Sequence, residues 1–146
     1  MQRGARGVLD PGAGRQRCPE VVFRVEDELA GAAEALELLA AVEAGEVKLV
    51  EPPHFLAEMA AVLARKDPRG AQDSIRDLLE IEMQVWPERD LYLVAADLAG
   101  RTGTHVFDAL YHATALHFPA AELVTADRRY YERARHLGQV RLLSGL

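Results

Sequence analysis

The segment from Leu123 to Tyr131 constrains the fold more than any other part of the chain. Its first residues, Leu-Val-Thr, have the apolar and β-branched character of a short buried strand. Asp127 follows two residues after this run, and a helix-like segment rich in Arg and Tyr follows at once. A carboxylate in this position lies at the carboxyl edge of a sheet, where open α/β folds bind their ligands. The segment therefore predicts a parallel sheet with a functional edge.

The rest of the chain alternates between strand-like and helix-like segments. Strands are predicted at 47–50, 122–125 and 140–143, with a short extended piece at 85–87. Helices are predicted at 27–44, 52–65, 90–98, 106–117 and 128–136. A further helix begins at Pro68 with an apolar stripe that includes Met83, and Gly100 and Gly103 are interpreted as closing the 90–98 helix. This alternation favours a three-layer α/β domain in which helices flank a central, mostly parallel sheet.

Composition and charge exclude several classes of protein. The single cysteine, Cys18, excludes an internal disulfide and a cysteine zinc cluster, which fits a cytoplasmic protein. No apolar run approaches the roughly 20 residues that span a bilayer, so no membrane partner is expected. The net charge of −6 argues against bulk electrostatic capture of nucleic acid. However, residues 128–141 carry five arginines against the single acid Glu132, so the predicted sheet edge has a basic neighbour.

Three acids stand inside otherwise apolar segments. Glu58 interrupts the run 55–63, Asp108 lies in the predicted 106–117 helix, and Asp127 ends the predicted strand. Burying unpaired carboxylates is costly, and a divalent cation would supply the missing positive charge. Other interpretations stay open, since Glu58 fits the polar face of a helix, Asp108 an ion pair, and Asp127 a helix N-cap.

Four segments, in this order and spacing, resemble the PIN-domain nucleases, in particular the VapC-type toxins. They are Pro52-Pro53 leading to Glu58, Thr104-x-x-x-Asp108-Ala109-x-Tyr111, Leu123 to Asp127, and Gly138-x-Val140. The resemblance runs from about residue 23 to residue 143. It implies a doubly wound α/β fold and an acid cluster that holds Mg²⁺ or Mn²⁺ for endonucleolytic cleavage of RNA. It also implies a toxin of a type II toxin-antitoxin system, which forms a homodimer and is held inactive by a cognate antitoxin.

The resemblance assigns roles to individual residues. Glu58, Asp108 and Asp127 become the catalytic, metal-binding acids. Thr104 and Thr125 are candidates for hydrogen bonds that orient these carboxylates. Arg128 and Arg129 follow Asp127 directly, and arginine suits phosphate because its guanidinium offers bidentate geometry.

The N-terminal segment departs from the family pattern, in which a hydrophobic first strand ends on an Asp. Asp10 is the nearby candidate for this fourth metal-binding acid, but Pro11 and Gly12 follow it as in a turn. Either Asp10 is the first acid, or residues 1–22 are an irregular, aberrant segment, for example from a shifted reading frame, before a PIN-like domain at 23–146. We favour the second explanation because the composition changes abruptly near Phe23. The alternative to a nuclease is a PIN-like domain without catalysis that acts as a binding or interaction module.

Overall fold

The computed structural model describes residues 19–24, 32–87 and 89–145. Five strands lie within these ranges: β1 Glu20–Phe23, β2 Lys48–Glu51, β3 Met83–Val85, β4 Ala121–Thr125 and β5 Val140–Leu142. Six α-helices lie within them: α1 Ala32–Glu43, α2 Phe55–Lys66, α3 Ala71–Glu80, α4 Leu91–Thr102, α5 Val106–His117 and α6 Arg128–Ala134. Short 3-10 helices, Arg135–Leu137 and Leu143–Gly145, precede and follow β5.

The five strands form one parallel sheet in the order β3-β2-β1-β4-β5. The central strand β1 pairs with β2 on one side and with β4 on the other, where Val22 lies opposite Leu123. The chain builds outward from β1 through β2 and β3, and then returns to place β4 and β5 on the opposite side. The strand order therefore reverses between β1 and β4, and ligands of open parallel sheets bind in the crevice at such a switch point. The predicted α/β architecture is confirmed.

Apolar side chains cover both faces of the central strands. Val22 and Leu123 pack in one cluster with Tyr111 of α5, whereas Val21 and Val124 pack in another cluster against α1. Successive side chains of a strand point to opposite faces, so a strand that is covered on both sides must be continuously apolar. This requirement explains why Val-Val and Leu-Val sequences form the neighbouring strands at the centre of the sheet.

The hairpin formed by α4 and α5 differs in one detail from the prediction. The prediction that Gly100 closes the first helix is wrong, because α4 continues to Thr102. A glycine inside a helix costs about 1 kcal/mol relative to alanine, and the packed interface between α4 and α5 offsets this cost. The chain turns at Gly103, whose φ of 65° is left-handed and suits glycine. The second helix occupies 106–117 as predicted.

Two strands also differ from the prediction. The strand β1 was not foreseen, and it crosses the proposed boundary between residues 22 and 23. Met83 does not belong to a helix; α3 ends at Glu80, and Met83 begins β3, where it pairs with Leu49. Both strands have four residues or fewer. Such short segments carry little periodicity of their own, and the neighbouring strand decides their conformation.

Candidate active site

The carboxyl ends of β1 and β4 define the crevice at the switch point. Arg24 follows β1 directly, and Asp127 follows β4 after one intervening residue. The backbone N–H of Arg24 donates to the carbonyl of Val124 at 3.3 Å, so pairing between the two strands extends to this residue. The neighbouring strand β2 also holds this point, because Glu51 Oε1 accepts the N–H of Phe23 at 2.8 Å. The backbone that carries Arg24 is therefore fixed from both sides.

Asp127 has two structural contacts, one from each carboxylate oxygen. Its Oδ1 accepts the backbone N–H of Tyr130 at 2.8 Å, which caps α6. Its Oδ2 accepts a hydrogen bond from Arg24 Nη1 at 3.2 Å. The interpretation of Asp127 as a helix N-cap is therefore confirmed, and the same carboxylate also faces the crevice.

Asp108 lies in the first turn of α5 and meets the same guanidinium. Its Oδ1 is 2.9 Å from Arg24 Nη2, so one arginine bridges the two aspartates. Burial raises the pKa of Asp108, the Arg24 guanidinium opposes this rise, and the like charge of Asp127 adds to it. Arg24 therefore compensates two carboxylates that would otherwise repel each other in a partly buried place.

Glu58 lies in the first turn of α2, beside this pair. Its Oε2 accepts a hydrogen bond from the hydroxyl of Tyr111 at 2.5 Å and is 3.8 Å from His54 Nε2. Tyr111 is one helical turn after Asp108 on the same face of α5, which brings the third acid to the neighbourhood of the other two. Burial, together with the bond to Glu58, raises the pKa of Tyr111, so the hydroxyl stays protonated and donates.

An open cleft of about 270 Å³ exposes part of the aspartate pair. It is lined by Gly103, Thr104, His105, Asp108, Asp127, Arg129, Tyr130 and Arg133. Arg133 Nη1 donates to the carbonyl of Gly103 at 2.8 Å, which ties α6 to the end of α4. The cleft thus combines two carboxylates with arginine side chains from α6.

The other predicted site residues have different positions. Thr125 is buried, and its hydroxyl accepts the backbone N–H of Asp127 at 3.1 Å. Thr104 lines the cleft, but its hydroxyl bonds that of Thr102 at 2.7 Å. Arg128 and Arg129 are exposed on α6, and Arg129 lines the cleft. Asp10 lies outside the described residues.

The sequence reasoning missed Arg24 and Glu51. Arg24 belongs to none of the recognised motifs. Its position at the switch point becomes apparent only once β1 is known to end at Phe23. Glu51 is fully buried at the end of β2, and its Oε2 has no hydrogen-bond partner. Burial raises the pKa of Glu51 well above its usual range, although the hydrogen bond from Phe23 opposes the rise. The available signal was the acid itself, which ends an apolar run just before Pro52.

The arrangement does not fit a divalent cation as it stands. Within residues 19–24, 32–87 and 89–145, no three His, Cys, Asp or Glu side chains are grouped so that they could hold a metal ion. One oxygen of Asp108 and one of Asp127 are paired with the Arg24 guanidinium instead. Among the described residues, Arg24 supplies the positive charge that compensates Asp108 and Asp127.

Comparison with known proteins agrees with this architecture. The family model of the PIN domain matches residues 21–136, from β1 into the 3-10 helix after α6. No curated protein gives a significant match to the sequence. Among the described residues, no helix has both the length and the apolar character needed to cross a bilayer. Because the family model covers well over half of the chain, the protein belongs to the PIN domain family, whose members are generally metal-dependent nucleases.

Proposed function

We propose that this protein is an endoribonuclease that hydrolyses RNA phosphodiester bonds and serves as the toxin of a type II toxin-antitoxin system. One observation carries the proposal: Asp108 and Asp127 come together from separate elements in an open cleft at the switch point of a PIN-type sheet. Glu58 is the third acid, and Asp10 remains the candidate fourth. The proposal places the protein in the cytoplasm.

The arginines beside the acid pair support the proposed RNA substrate. Phosphate is repelled by bare carboxylates, so a substrate can approach them only where positive charge compensates. Arg129 lines the same cleft, and Arg128 is exposed next to it. A guanidinium binds phosphate oxygens in bidentate geometry, so these two side chains hold the backbone while the acids face the bond to be cleaved.

The proposed partners are a second copy of the chain and a cognate antitoxin. Support comes from exposed apolar side chains on the hairpin of α4 and α5: Tyr92, Leu93, Val94, Val106 and Phe107. They form two groups, because the start of α4 lies against the end of α5, and exposed apolar side chains can serve as contact points for a partner. Val106 and Phe107 lie in the same first turn of α5 as Asp108, so this group is the one nearer to the cleft.

The proposed cofactor is Mg²⁺ or Mn²⁺, because PIN nucleases typically use divalent metals. Carboxylate oxygens suit both ions. The present contacts of Arg24 disagree with this part of the proposal.

The function is tested by incubating the purified chain with a mixed RNA substrate in Mg²⁺ or Mn²⁺. We expect cleavage that EDTA abolishes and that Asp108→Asn and Asp127→Asn each reduce by at least about a hundredfold. The control is Asp73→Asn, which changes an exposed acid on α3 and should cleave normally. Cleavage that persists in EDTA, or in both active-site variants, contradicts the proposal.

The second candidate is a PIN-like module that binds RNA or a protein without cleaving. It is favoured by the Arg24 contacts, because this arginine occupies one oxygen of each aspartate and its charge opposes the binding of a metal cation. This function predicts that the wild-type chain retains RNA in a mobility-shift assay but yields no fragments in either metal. It also predicts that Arg129→Ala weakens retention.

A further inference from the structure

Arg24 occupies the position in the sheet that matters most for a ligand. It immediately follows β1, and β1 is the strand at which the order of the sheet reverses. The side chain that follows such a strand enters the crevice from its centre. Here that side chain is a cation, and it reaches acids from α5 and from the end of β4.

The guanidinium is partly buried together with both partners. The side chain of Arg24 is 18% exposed, and those of Asp108 and Asp127 are 23% and 28% exposed. Dissolved salt weakens partly buried ion pairs less than it weakens exposed ones. The N–H of Phe23 donates to the Glu51 carboxylate and the N–H of Arg24 to the Val124 carbonyl, so the backbone from which the arginine extends is also fixed.

We infer that Arg24 is the resident counter-cation of this acid pair, and that it keeps a divalent cation off Asp108 and Asp127 for as long as its two contacts hold. Mg²⁺ binds carboxylate oxygens at about 2.0–2.1 Å and demands near-octahedral geometry. Asp108 Oδ1 already forms an ion pair with Arg24, and Asp127 Oδ2 already accepts a hydrogen bond from it. A guanidinium at this distance repels a second cation. Metal binding therefore competes directly with the two contacts of Arg24. The inference deepens the proposed function, on which it rests, because it concerns the regulation of the same site.

The test measures Mn²⁺ binding without RNA, by electron paramagnetic resonance of free Mn²⁺ and by thermal unfolding. Arg24→Gln removes the charge and keeps a hydrogen-bond donor, whereas Arg24→Lys keeps the charge. We expect Arg24→Gln to bind Mn²⁺ about tenfold or more tightly than the wild type, and Arg24→Lys to resemble the wild type. Asp108→Asn added to Arg24→Gln should abolish the gain.

The matched control is Arg76→Ala, which removes an arginine from an exposed ion pair with Asp73 on α3. It should leave Mn²⁺ binding unchanged. If Arg24→Gln folds only when Mn²⁺ is present, the metal has replaced the guanidinium, and the inference is supported. A second test needs no substitution of Arg24: Mn²⁺ binding to the wild type at micromolar concentration, abolished by Asp108→Asn, overturns the inference.

The outcomes distinguish a failure of this inference from a failure of the proposed function. If Arg24→Gln gains Mn²⁺ but neither it nor the wild type cleaves RNA, the counter-cation inference holds and the nuclease proposal fails. If the wild type binds Mn²⁺ as tightly as Arg24→Gln and cleaves RNA, the nuclease proposal holds and the inference fails. Equal, weak binding by both proteins also contradicts the inference.

Discussion

Replacing Glu51 with Gln should change how the stability of the protein depends on pH. Glu51 is fully buried, one of its oxygens accepts the Phe23 N–H, and the other has no partner. Burial raises the pKa of Glu51 well above its ordinary value of 4.5. The folded state therefore favours the protonated acid. Its contribution to stability is fully present below the unfolded pKa and is lost as the pH rises through the folded pKa.

The size of the pH effect on the free energy of unfolding follows from the one extra proton that Glu51 binds in the folded state. Between the unfolded and folded pKa values of Glu51, the free energy of unfolding falls by up to about 1.4 kcal/mol per pH unit. For a chain of this size, each kcal/mol of this loss lowers Tm by about 2–4 °C. Gln keeps the oxygen that bonds Phe23 but cannot ionise, so Glu51→Gln should lack this loss. Asp108, whose pKa is also raised, contributes equally to both proteins and cancels in the difference.

The assay is urea unfolding of both proteins at several pH values across this window. We expect Glu51→Gln to match the wild type within about 0.5 kcal/mol below the ordinary pKa of 4.5, and then to gain on it by up to about 1.4 kcal/mol for each further pH unit. Glu80→Gln, at an exposed position on α3, is the matched control and should follow the wild type throughout. Parallel curves for the wild type and Glu51→Gln would refute the reasoning, since they would mean that Glu51 binds no extra proton on folding.

Two further predictions concern stability. Gln139 Nε2 lies 2.7–2.8 Å from the carbonyls of Ala115, Phe118 and Ala121, which ties the end of α5 to the start of β4. Gln139→Ala should therefore cost about 1–3 kcal/mol, measured as a lower urea midpoint with an unchanged m value; a cost below about 0.5 kcal/mol contradicts this role. Asp127→Ala should be about 1 kcal/mol less stable than Asp127→Asn, because Asn can still cap α6; equal stabilities would show that the cap contributes little.

Sequence reasoning located the elements with long or complete patterns. The helix at 106–117 has an apolar pattern of more than three turns, so its ends were predicted as observed. The strand before Asp127 could be predicted because its apolar run, its acid and the following helix all agree. The strand β1 was not predicted, because four residues carry too little pattern. Only its pairing with β2 and β4 makes Glu20–Phe23 a central strand.

By itself, the sequence determined the α/β class, the family resemblance and the presence of acids at a sheet edge, because local periodicity and motif spacing encode these features. Tertiary structure alone decided what compensates those acids. Arg24 is separated from Asp127 by 103 residues along the chain, yet the strand order puts β1 beside β4 and brings their ends together. Electrostatic interaction depends on distance through space, so the charge partner of a buried carboxylate can be read only after the chain has folded.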